Sequence, residues 1–347
     1  MIKLYTDSEL LKDETSVNVF PLLQQLAVVN SKINAIYKLV PTVAECDFTI
    51  LPLRVEYLYE QGKKEYVHSF FKRSRTHKKP ILLFTSGDYG MSFKKEDIYT
   101  VRLGGFKSKM HTNTFIMPPF IEDPLHFLGE SFIPLEKEDQ AAIGFVGHSN
   151  AAVTKQIKEW LLFVKGNVRR MMGKDPSDIQ RFYPSSAKRY RYLRLLQKND
   201  TVVTNFIFRK KYRAGVITSE ERKRTSLDFY ENIFNNPYTF CLRGTGNFSV
   251  RFYETLAMGR IPILVDTDCK LPFEDVINWK NHIFIIEEKK VANIAAELQA
   301  YHRNKMASDF VSLQKENREL WKSYFTKDAY FDQLAVSLNR VLKLNKS

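Results

Sequence analysis

The sequence has 347 residues and few of the features that define specialised protein classes. It has three cysteines, Cys46, Cys241 and Cys269, too far apart for a C-x-x-C pair. Their odd number, with two in predicted strands, indicates reduced interior thiols and not a disulfide framework. The seven histidines form no cluster and no H-E-x-x-H motif, so we expect no metal site.

Long apolar segments are also missing. No run approaches the roughly 18 residues of a membrane-spanning helix. The first residues, MIKLYTDSELLKDE, do not have the pattern of a secretory signal. Together with the reduced cysteines, these absences predict a cytoplasmic protein. The hydrophobic content of 44% is ordinary for a globular chain, and the length favours two domains.

Positive charge is concentrated in one segment. Residues 165–224 contain 17 lysines and arginines against 5 acidic residues, whereas the rest of the chain has 36 against 34. This basic block indicates an anionic partner. It could be a solvated face, line the acceptor side of a cleft and attract an anionic glycan, or dock on an anionic membrane where lipid-linked acceptors lie. Four tyrosines interleave with the cations and could stack on sugars or bases: Tyr183, Tyr190, Tyr192 and Tyr212.

Strand and helix patterns alternate along the chain, which is typical of an α/β fold. In the first half we predict strands at 2–5, 46–53, 80–84, 98–103 and 114–117, with helices at 17–29 and 58–75. A proline-containing join then leads to a second α/β unit. The expected domains are residues 1–135 and 136–325, with a last helix in 326–347 packing back on the first domain. Two such units create a cleft, a usual place for a ligand.

The clearest local pattern is residues 238–266, YTFCLRGTGNFSVRFYETLAMGRIPILVD. It predicts a strand, a turn containing Gly244 and Gly246, a helix over 249–258 and a second strand. We expect the glycines to let the backbone approach a ligand and to adopt positive φ. Arg251 and Glu254 share a helix face, and they suit a phosphate and a pair of hydroxyls respectively. The alternative is an unliganded turn with a surface ion pair.

The same stretch carries an ordered series of motifs: Ser249-x-Arg251, Glu254, Gly259-x-Ile261-Pro262, Asp266, Leu271-Pro272-Phe273 and Trp279. This series resembles the core of the exostosin-type glycosyltransferases. Upstream support comes from segments similar to that family at 47–53, 80–90 and 143–147. The resemblance spans roughly residues 40–290. Three departures are Arg243 in place of a common proline, a strand at 81–84 without histidine, and no anchor of the kind that eukaryotic members carry.

The resemblance implies two Rossmann-like domains facing across a cleft, the GT-B type, closed by C-terminal helices. It also implies that the second half holds a nucleotide-diphosphate sugar as donor substrate, with no further cofactor and no metal, because cations and a helix N-terminus neutralise the leaving diphosphate. The residues that we assign to the nucleotide-sugar are Arg209, Arg243, Gly244, Gly246, Ser249, Arg251 and Glu254.

The general base is expected from a loop at the cleft. Asp88, in a polar loop after a predicted strand of the first half, is the first candidate, and His148 is the rival. Each could instead be an ordinary loop residue. Asp266-Thr267-Asp268 has the spacing of a metal motif, but we interpret it as a turn.

The sequence therefore predicts an inverting glycosyltransferase of surface polysaccharide synthesis with a glycan acceptor, anionic or lipid-linked. It would be cytoplasmic or peripheral at the inner face of the membrane. Two alternatives stay open. One is a nucleic-acid-binding protein that uses the basic block, although a compact recognition motif is missing and nucleic acid is not the expected partner. The other is a catalytically silent transferase subunit.

Overall fold

The computed structural model describes residues 1–12, 14–15, 17–28, 31–209, 215 and 218–344. Two parallel β-sheets, each with its own apolar core, organise these residues. The α/β fold of two such units, predicted from the alternation of strands and helices, is confirmed. Within the part of the chain that the structure describes, no helix is long and apolar enough to cross a membrane.

The first sheet has six strands in the order β2-β1-β3-β4-β5-β6, and every pair is parallel. Its strands are β1 Ile2–Tyr5, β2 Tyr37–Leu39, β3 Phe48–Ile50, β4 Ile81–Thr85, β5 Ile98–Arg102 and β6 Thr114–Ile116. All residues of β3, β4 and β5 are buried, as expected for parallel strands with both faces covered.

Three helices belong to this half: α1 Pro21–Leu26, α2 Val55–Glu60 and α3 Lys64–Thr76. A fourth, α4 Pro124–Leu128, follows β6, but its Leu125 packs with Ile233 and Met258 of the second half. The predicted helix over 58–75 is two helices, because Gly62 has a φ of 69° and breaks the chain direction between α2 and α3. The predicted helix over 17–29 is shorter than expected and begins at Pro21, a residue suited to a first helical turn.

The second sheet has five parallel strands in the order β11-β10-β9-β7-β8. They are β7 Ala141–His148, β8 Val202–Arg209, β9 Tyr238–Cys241, β10 Ile261–Asp266 and β11 Phe284–Glu287. The helices that follow and cover these strands are α5 Val153–Met171, α6 Ser185–Gln197, α7 Ser219–Phe234, α8 Val250–Ala257, α9 Ile294–Arg303 and α10 Ala307–Tyr324.

The last helix, α11 Lys327–Leu344, returns to the first half. Its buried side chains, among them Phe331 and Leu334, belong to the core of the first sheet. The Tyr37 hydroxyl on β2 donates to the carbonyl of Phe331 at 2.7 Å. The chain therefore crosses between the halves twice.

The carboxyl ends of both sheets meet across a cleft. The Lys107 amide donates to the Asp268 carbonyl at 2.8 Å, and Asn247 Nδ2 lies 3.1 Å from the Gly105 carbonyl oxygen. Arg102 of β5 pairs with Asp178 at 3.2 Å. These contacts place the loop after β5 against the turns after β9 and β10. The loop after β4 approaches the same turn, because the Asp88 carboxylate accepts a hydrogen bond from the Gly246 backbone, so the two predicted parts of the site come together.

Candidate active site

Arg243 lies two residues after the end of β9 and is only 4% exposed. Its Nη2 donates to the Thr245 carbonyl at 2.7 Å. Its guanidinium lies 4.7 Å from the Tyr183 ring centroid and 5.1 Å from that of Phe106 in the opposite half. Burial lowers its pKa. The residue that departs from the family pattern is therefore a cation held at the cleft by stacking and one backbone acceptor.

Arg251, in the first turn of α8, points back to the end of β7. Its Nη2 donates to the Val146 carbonyl at 2.6 Å, and its guanidinium lies 4.3 Å from the Phe145 ring centroid. A Cβ on Gly147 would lie 2.7 Å from the same Nη2, so a side chain there would displace the guanidinium. Burial lowers the pKa of Arg251.

Glu254 does not form the helix-surface ion pair with Arg251 that was the alternative interpretation; no such pair is found among the described residues. Instead its carboxylate accepts from the Tyr230 hydroxyl. Burial raises the pKa of Glu254 to about 7, against the opposing effects of Arg251 and Tyr230. Arg251 and Glu254 therefore lie on the same helix but have different hydrogen-bond partners, the Val146 carbonyl and the Tyr230 hydroxyl.

Arg189 of α6 is a site residue that the sequence analysis did not single out. Its Nη1 donates to the His148 carbonyl at 2.8 Å, and its Nη2 donates to the Arg243 carbonyl at 3.1 Å. It therefore ties together the ends of β7 and β9. The available signal was its helical spacing, because Arg189 lies on the stripe of the buried residues Ser186, Leu193 and Leu196.

Arg189, Arg243 and Arg251 form what we call the arginine cluster. The Nε–H of each is buried and has no hydrogen-bond partner in the structure. None of the three forms an ion pair with any carboxylate that the structure describes. Burial, and next the charge of Arg251, lowers the pKa of Arg189 to about 10. Three desolvated cations without an ion-pair partner make a strong site for an anion.

The other predicted donor residues lie around this cluster. Arg209 ends β8 and is already paired, with Nη2 3.1 Å from an Asp228 carboxylate oxygen. Ser249 precedes α8, and its hydroxyl makes no capping hydrogen bond. Beside Gly244 there is open space, whereas a Cβ on Gly246 would lie 2.6 Å from the Asp88 carbonyl oxygen. Neither glycine is among those with positive φ, so that expectation is wrong.

Asp88 lies on the loop after β4 and faces the turn after β9. It lines a cleft of about 600 Å³ together with Arg102, Phe106 and Asn247. Burial raises its pKa, while a hydrogen bond from the Gly246 backbone and the charge of Arg243 oppose this shift. The first candidate base and the donor turn are therefore in direct contact.

His148 ends β7, and its ring contacts Ser186 and Lys155. Its Nδ1 lies 3.1 Å from Ser186 Oγ, and Lys155 Nζ lies 2.5 Å from its Nε2. Burial, then the charges of Lys155 and Arg189, lower its pKa to about 4. The ring is neutral at neutral pH, but the Lys155 ammonium already occupies the nitrogen that would take a proton.

Glu56, in the first turn of α2, is a second residue that the sequence analysis missed. It is 5% exposed and lies beneath the Asp88 loop, where Oε2 accepts from the Ser86 amide at 3.4 Å. Its Oε1 is buried without a partner, and burial raises its pKa to about 7. In the sequence, Glu56 is marked only by its position shortly after a predicted buried strand that ends at Pro52.

The basic block does not act as one surface. Lys188, Tyr183 and Tyr192 all donate to Glu288 Oε1, at 2.7–2.8 Å. Tyr190 packs on Phe208, so these three tyrosines have neighbours within the protein. Tyr212 and its flanking cations lie outside the described residues.

The segment Asp266-Thr267-Asp268 forms a turn and an interdomain contact. Asp268 has a φ of 65°, and its carboxylate accepts from the Ser108 amide at 3.0 Å and hydroxyl at 2.5 Å. No group of three or more metal-ligating side chains occurs within the described ranges. A cavity of about 930 Å³ lies beside β10 and β11, but none of the predicted site residues lines it.

Solved structures offer only distant likenesses. A glycosyltransferase from Rickettsia africae has a TM-score of 0.40 and 10% identity, with 98% of each chain covered. The pneumococcal O-GlcNAc transferase GtfA, solved with UDP and GlcNAc, has a TM-score of 0.33 and 9% identity, covering 85% of this chain and 57% of that one. Scores of this size are too low to support an inference about activity.

Sequence relatives are more informative. Exostosin-1 of Bos taurus is 31% identical over 119 residues, which cover 34% of this chain. Exostosin-1c of Danio rerio is 25% identical over 136 residues, or 39% of this chain. The matched segments span 15% and 17% of those relatives. Residues 137–301 match the model of the exostosin GT47 domain. Residues 137–301 are therefore similar to the exostosin GT47 domain, and the predicted resemblance to the exostosin-type glycosyltransferases is confirmed over this segment.

Proposed function

We propose that this chain is a glycosyltransferase that moves a sugar from a nucleotide-diphosphate donor to a hydroxyl of a glycan or glycoconjugate. The observation that carries the proposal is the arginine cluster, whose three Nε–H groups are buried without a partner. Such groups are costly in the empty protein, and an anion with several oxygens is the ligand that satisfies them.

The diphosphate would lie between the arginine cluster and the first turn of α8. Arg243 and Arg251 come from the turn and the helix that follow β9, while Arg189 reaches the same edge from α6. As the bond to the sugar breaks, negative charge grows on the leaving diphosphate, and fixed cations in a desolvated site stabilise it. The free hydroxyl of Ser249 and the open space beside Gly244 leave room for oxygen atoms. Cations in these positions make a metal unnecessary.

Glu254 and Asp88 would take different roles. The Glu254 carboxylate already accepts a hydroxyl hydrogen bond from Tyr230, and ribose hydroxyls would replace or join that donor. Asp88 would accept the proton of the attacking acceptor hydroxyl. Its raised pKa makes it a better proton acceptor than an ordinary aspartate, and its contact with Gly246 places it across from the donor. A single displacement of this kind inverts the anomeric centre.

The binding half of the proposal is tested by thermal denaturation with a panel of nucleoside diphosphates and nucleotide-sugars. At about a hundred times Kd, a bound nucleotide should raise Tm by roughly 5 °C. Arg251→Ala and Arg189→Ala should each abolish most of this increase, because each removes a charge-assisted contact. The matched control is Arg303→Ala, at an exposed position on α9, which should show the full increase in Tm.

Two outcomes would contradict the proposal. If no nucleotide stabilises the protein, the donor site is elsewhere or absent. If mixed-sequence oligonucleotides bind with a steep salt dependence while nucleotide-sugars do not, the basic block is a nucleic-acid surface instead.

A further inference from the structure

Helix α5 exposes its apolar side chains, whereas an ordinary surface helix buries them. It has nineteen residues and none of them is buried. Its large apolar side chains are exposed: Ile157 54%, Trp160 50%, Leu161 56%, Val164 36%, Val168 47% and Met171 76%. At 3.6 residues per turn these positions form one stripe along the helix. We call it the α5 stripe.

The side of α5 that faces the protein is held by polar and aromatic contacts. Asn167 Nδ2 donates to the Gln180 carbonyl at 2.8 Å, and the Phe163 and Phe182 ring centroids are 5.4 Å apart. The Arg170 guanidinium lies 4.5 Å from the Tyr89 ring centroid. The orientation of the helix is therefore fixed, and the α5 stripe points away from the molecule. A continuous apolar surface of this kind marks a place where something else binds.

The charges beside the α5 stripe are all positive. Lys158, Lys165 and Arg169 are exposed along one of its edges, and Lys174 follows the end of the helix. The only acidic residue of α5, Glu159, is partly buried and lies 3.6 Å from Lys155. An apolar face bordered by cations is the pattern of a helix that lies in the surface of an anionic bilayer.

We propose that α5 docks this protein on an anionic membrane, with the α5 stripe in the interfacial region and the cationic edge against lipid headgroups. At 1.5 Å per residue the helix is about 28 Å long, and Trp160 near its middle is a residue that favours that region. A second copy of the chain fits less well, because pairing two α5 stripes would bring cationic edges together. The expected membrane contact thus begins before the basic block, at Val153.

This position would also orient the cleft. Lys155 in the first turn of α5 contacts His148, and Arg170 in the last turn contacts Tyr89, the neighbour of Asp88. The two ends of the helix therefore contact segments that adjoin the cleft. This part rests on the proposed function: a membrane at α5 would bring a lipid-linked acceptor to the side where Asp88 lies.

The test uses the whole chain and vesicles of phosphatidylcholine with or without one third phosphatidylglycerol. Trp160 is half exposed, whereas Trp279 and Trp321 are 5% and 4% exposed, so a blue shift of tryptophan fluorescence reports on α5. We expect the blue shift and co-sedimentation with the anionic vesicles only, with both lost at high salt.

Two variants and two controls separate the apolar and the electrostatic contributions to binding. Leu161→Glu should abolish binding, and Lys165→Glu should weaken the partition coefficient about tenfold. The matched controls are Met306→Glu, just before α10, and Lys315→Glu, on α10. Both positions are exposed, and both variants should bind the vesicles as the unmodified protein does. An unchanged Tm checks that each variant is folded.

Two results would overturn this proposal without touching the proposed function. One is equal or absent binding to both kinds of vesicle. The other is a stable dimer in sedimentation that Leu161→Glu converts to monomer, which would make the α5 stripe an interface between copies. Conversely, membrane binding by a protein that no nucleotide stabilises would keep the docking surface and reject the glycosyltransferase.

Discussion

The facing edges of the two sheets present ionisable groups of opposite kinds, carboxyl groups on one edge and guanidinium groups on the other. The first sheet presents the carboxyl groups of Asp88 and Glu56, whose pKa values burial raises. The second presents the arginine cluster, where burial lowers the pKa of each guanidinium. Desolvation drives both shifts, since removal from water disfavours any charged form. One edge is thereby suited to accept a proton and the other to hold an anion.

This division explains why one half alone gives an incomplete site. The segment that matches the GT47 domain model, residues 137–301, contains the entire arginine cluster, yet the carboxyl that faces it, Asp88, comes from outside that range. The following changes would break or sharpen the contrast between the two edges, in order of decreasing effect.

The largest effect is expected from Asp88→Asn. The amide cannot take the proton, so kcat for transfer should fall roughly 10²–10⁴-fold, while nucleotide binding stays within about twofold. Steady-state kinetics measures kcat, and calorimetric titration measures nucleotide binding. Asp200→Asn, an exposed change outside the cleft, is the control. Undiminished turnover would remove Asp88 from the role of base.

Glu56→Gln should change how stability depends on pH. The Glu56 carboxyl has a pKa of about 7 in the folded protein and an ordinary value near 4.5, so the folded state keeps a proton that the unfolded state has lost. Stability that this proton gives is present below pH 4.5 and is lost as the pH rises to about 7. In the unmodified protein this loss amounts to about 3 kcal/mol of the free energy of unfolding by linkage, and Glu56→Gln should not show it.

Urea unfolding at pH 5 and pH 8 measures this effect. The free energy of unfolding of Glu56→Gln, relative to the unmodified protein, should increase between the two pH values. A constant difference would mean that Glu56 titrates normally, and the contrast between the edges would rest on Asp88 alone.

Gly147→Ala should weaken the anion-binding edge without removing a charge. The new Cβ would lie 2.7 Å from Arg251 Nη2, so the guanidinium must move from its place against the Val146 carbonyl. We expect nucleotide affinity to fall about tenfold, since misplaced charge loses a charge-assisted hydrogen bond. Gly166→Ala is matched, because its Cβ would lie 3.0 Å from Arg170 Nη1, an arginine outside the cluster. Equal losses in both variants would contradict a specific role for Arg251.

The smallest effect concerns His148, the rival base. Its pKa of about 4 owes most to burial and the next part to the Lys155 charge. Lys155→Met should therefore move the His148 pKa upward, measured by NMR titration of the ring, with little change in nucleotide binding. Lys322→Met, which removes an exposed lysine of α10, should leave it unaltered. A large loss of transfer in Lys155→Met would instead revive His148 as a catalytic residue.

Local patterns in the sequence predicted local structure well. The strand, turn, helix and strand of residues 238–266 are found within about a residue of their predicted ends. Each is set by short-range periodicity and by glycines at its boundaries. The glycines themselves were misjudged, because Gly246 is required by the approach of the Asp88 loop and not by its own backbone angle.

What could not be predicted depends on contacts between distant segments. Arg189 was one cation among seventeen in the basic block, and only the fold turns it inward while Arg191 and Arg194 stay exposed. The sequence also could not show which side of α5 faces the solvent. Helical periodicity shows that a stripe of apolar residues exists, but it does not reveal whether that stripe faces the core or the solvent.

The return of α11 to the first sheet has a consequence for biosynthesis. Residues 2–117 leave the ribosome first, yet their core is completed by Tyr330, Phe331 and Leu338, which are translated about two hundred residues later. At roughly 5–20 residues per second, this delay is on the order of tens of seconds. During that time the groove for α11 on the first domain is uncovered. Loss of α11 would leave the first domain in that state permanently.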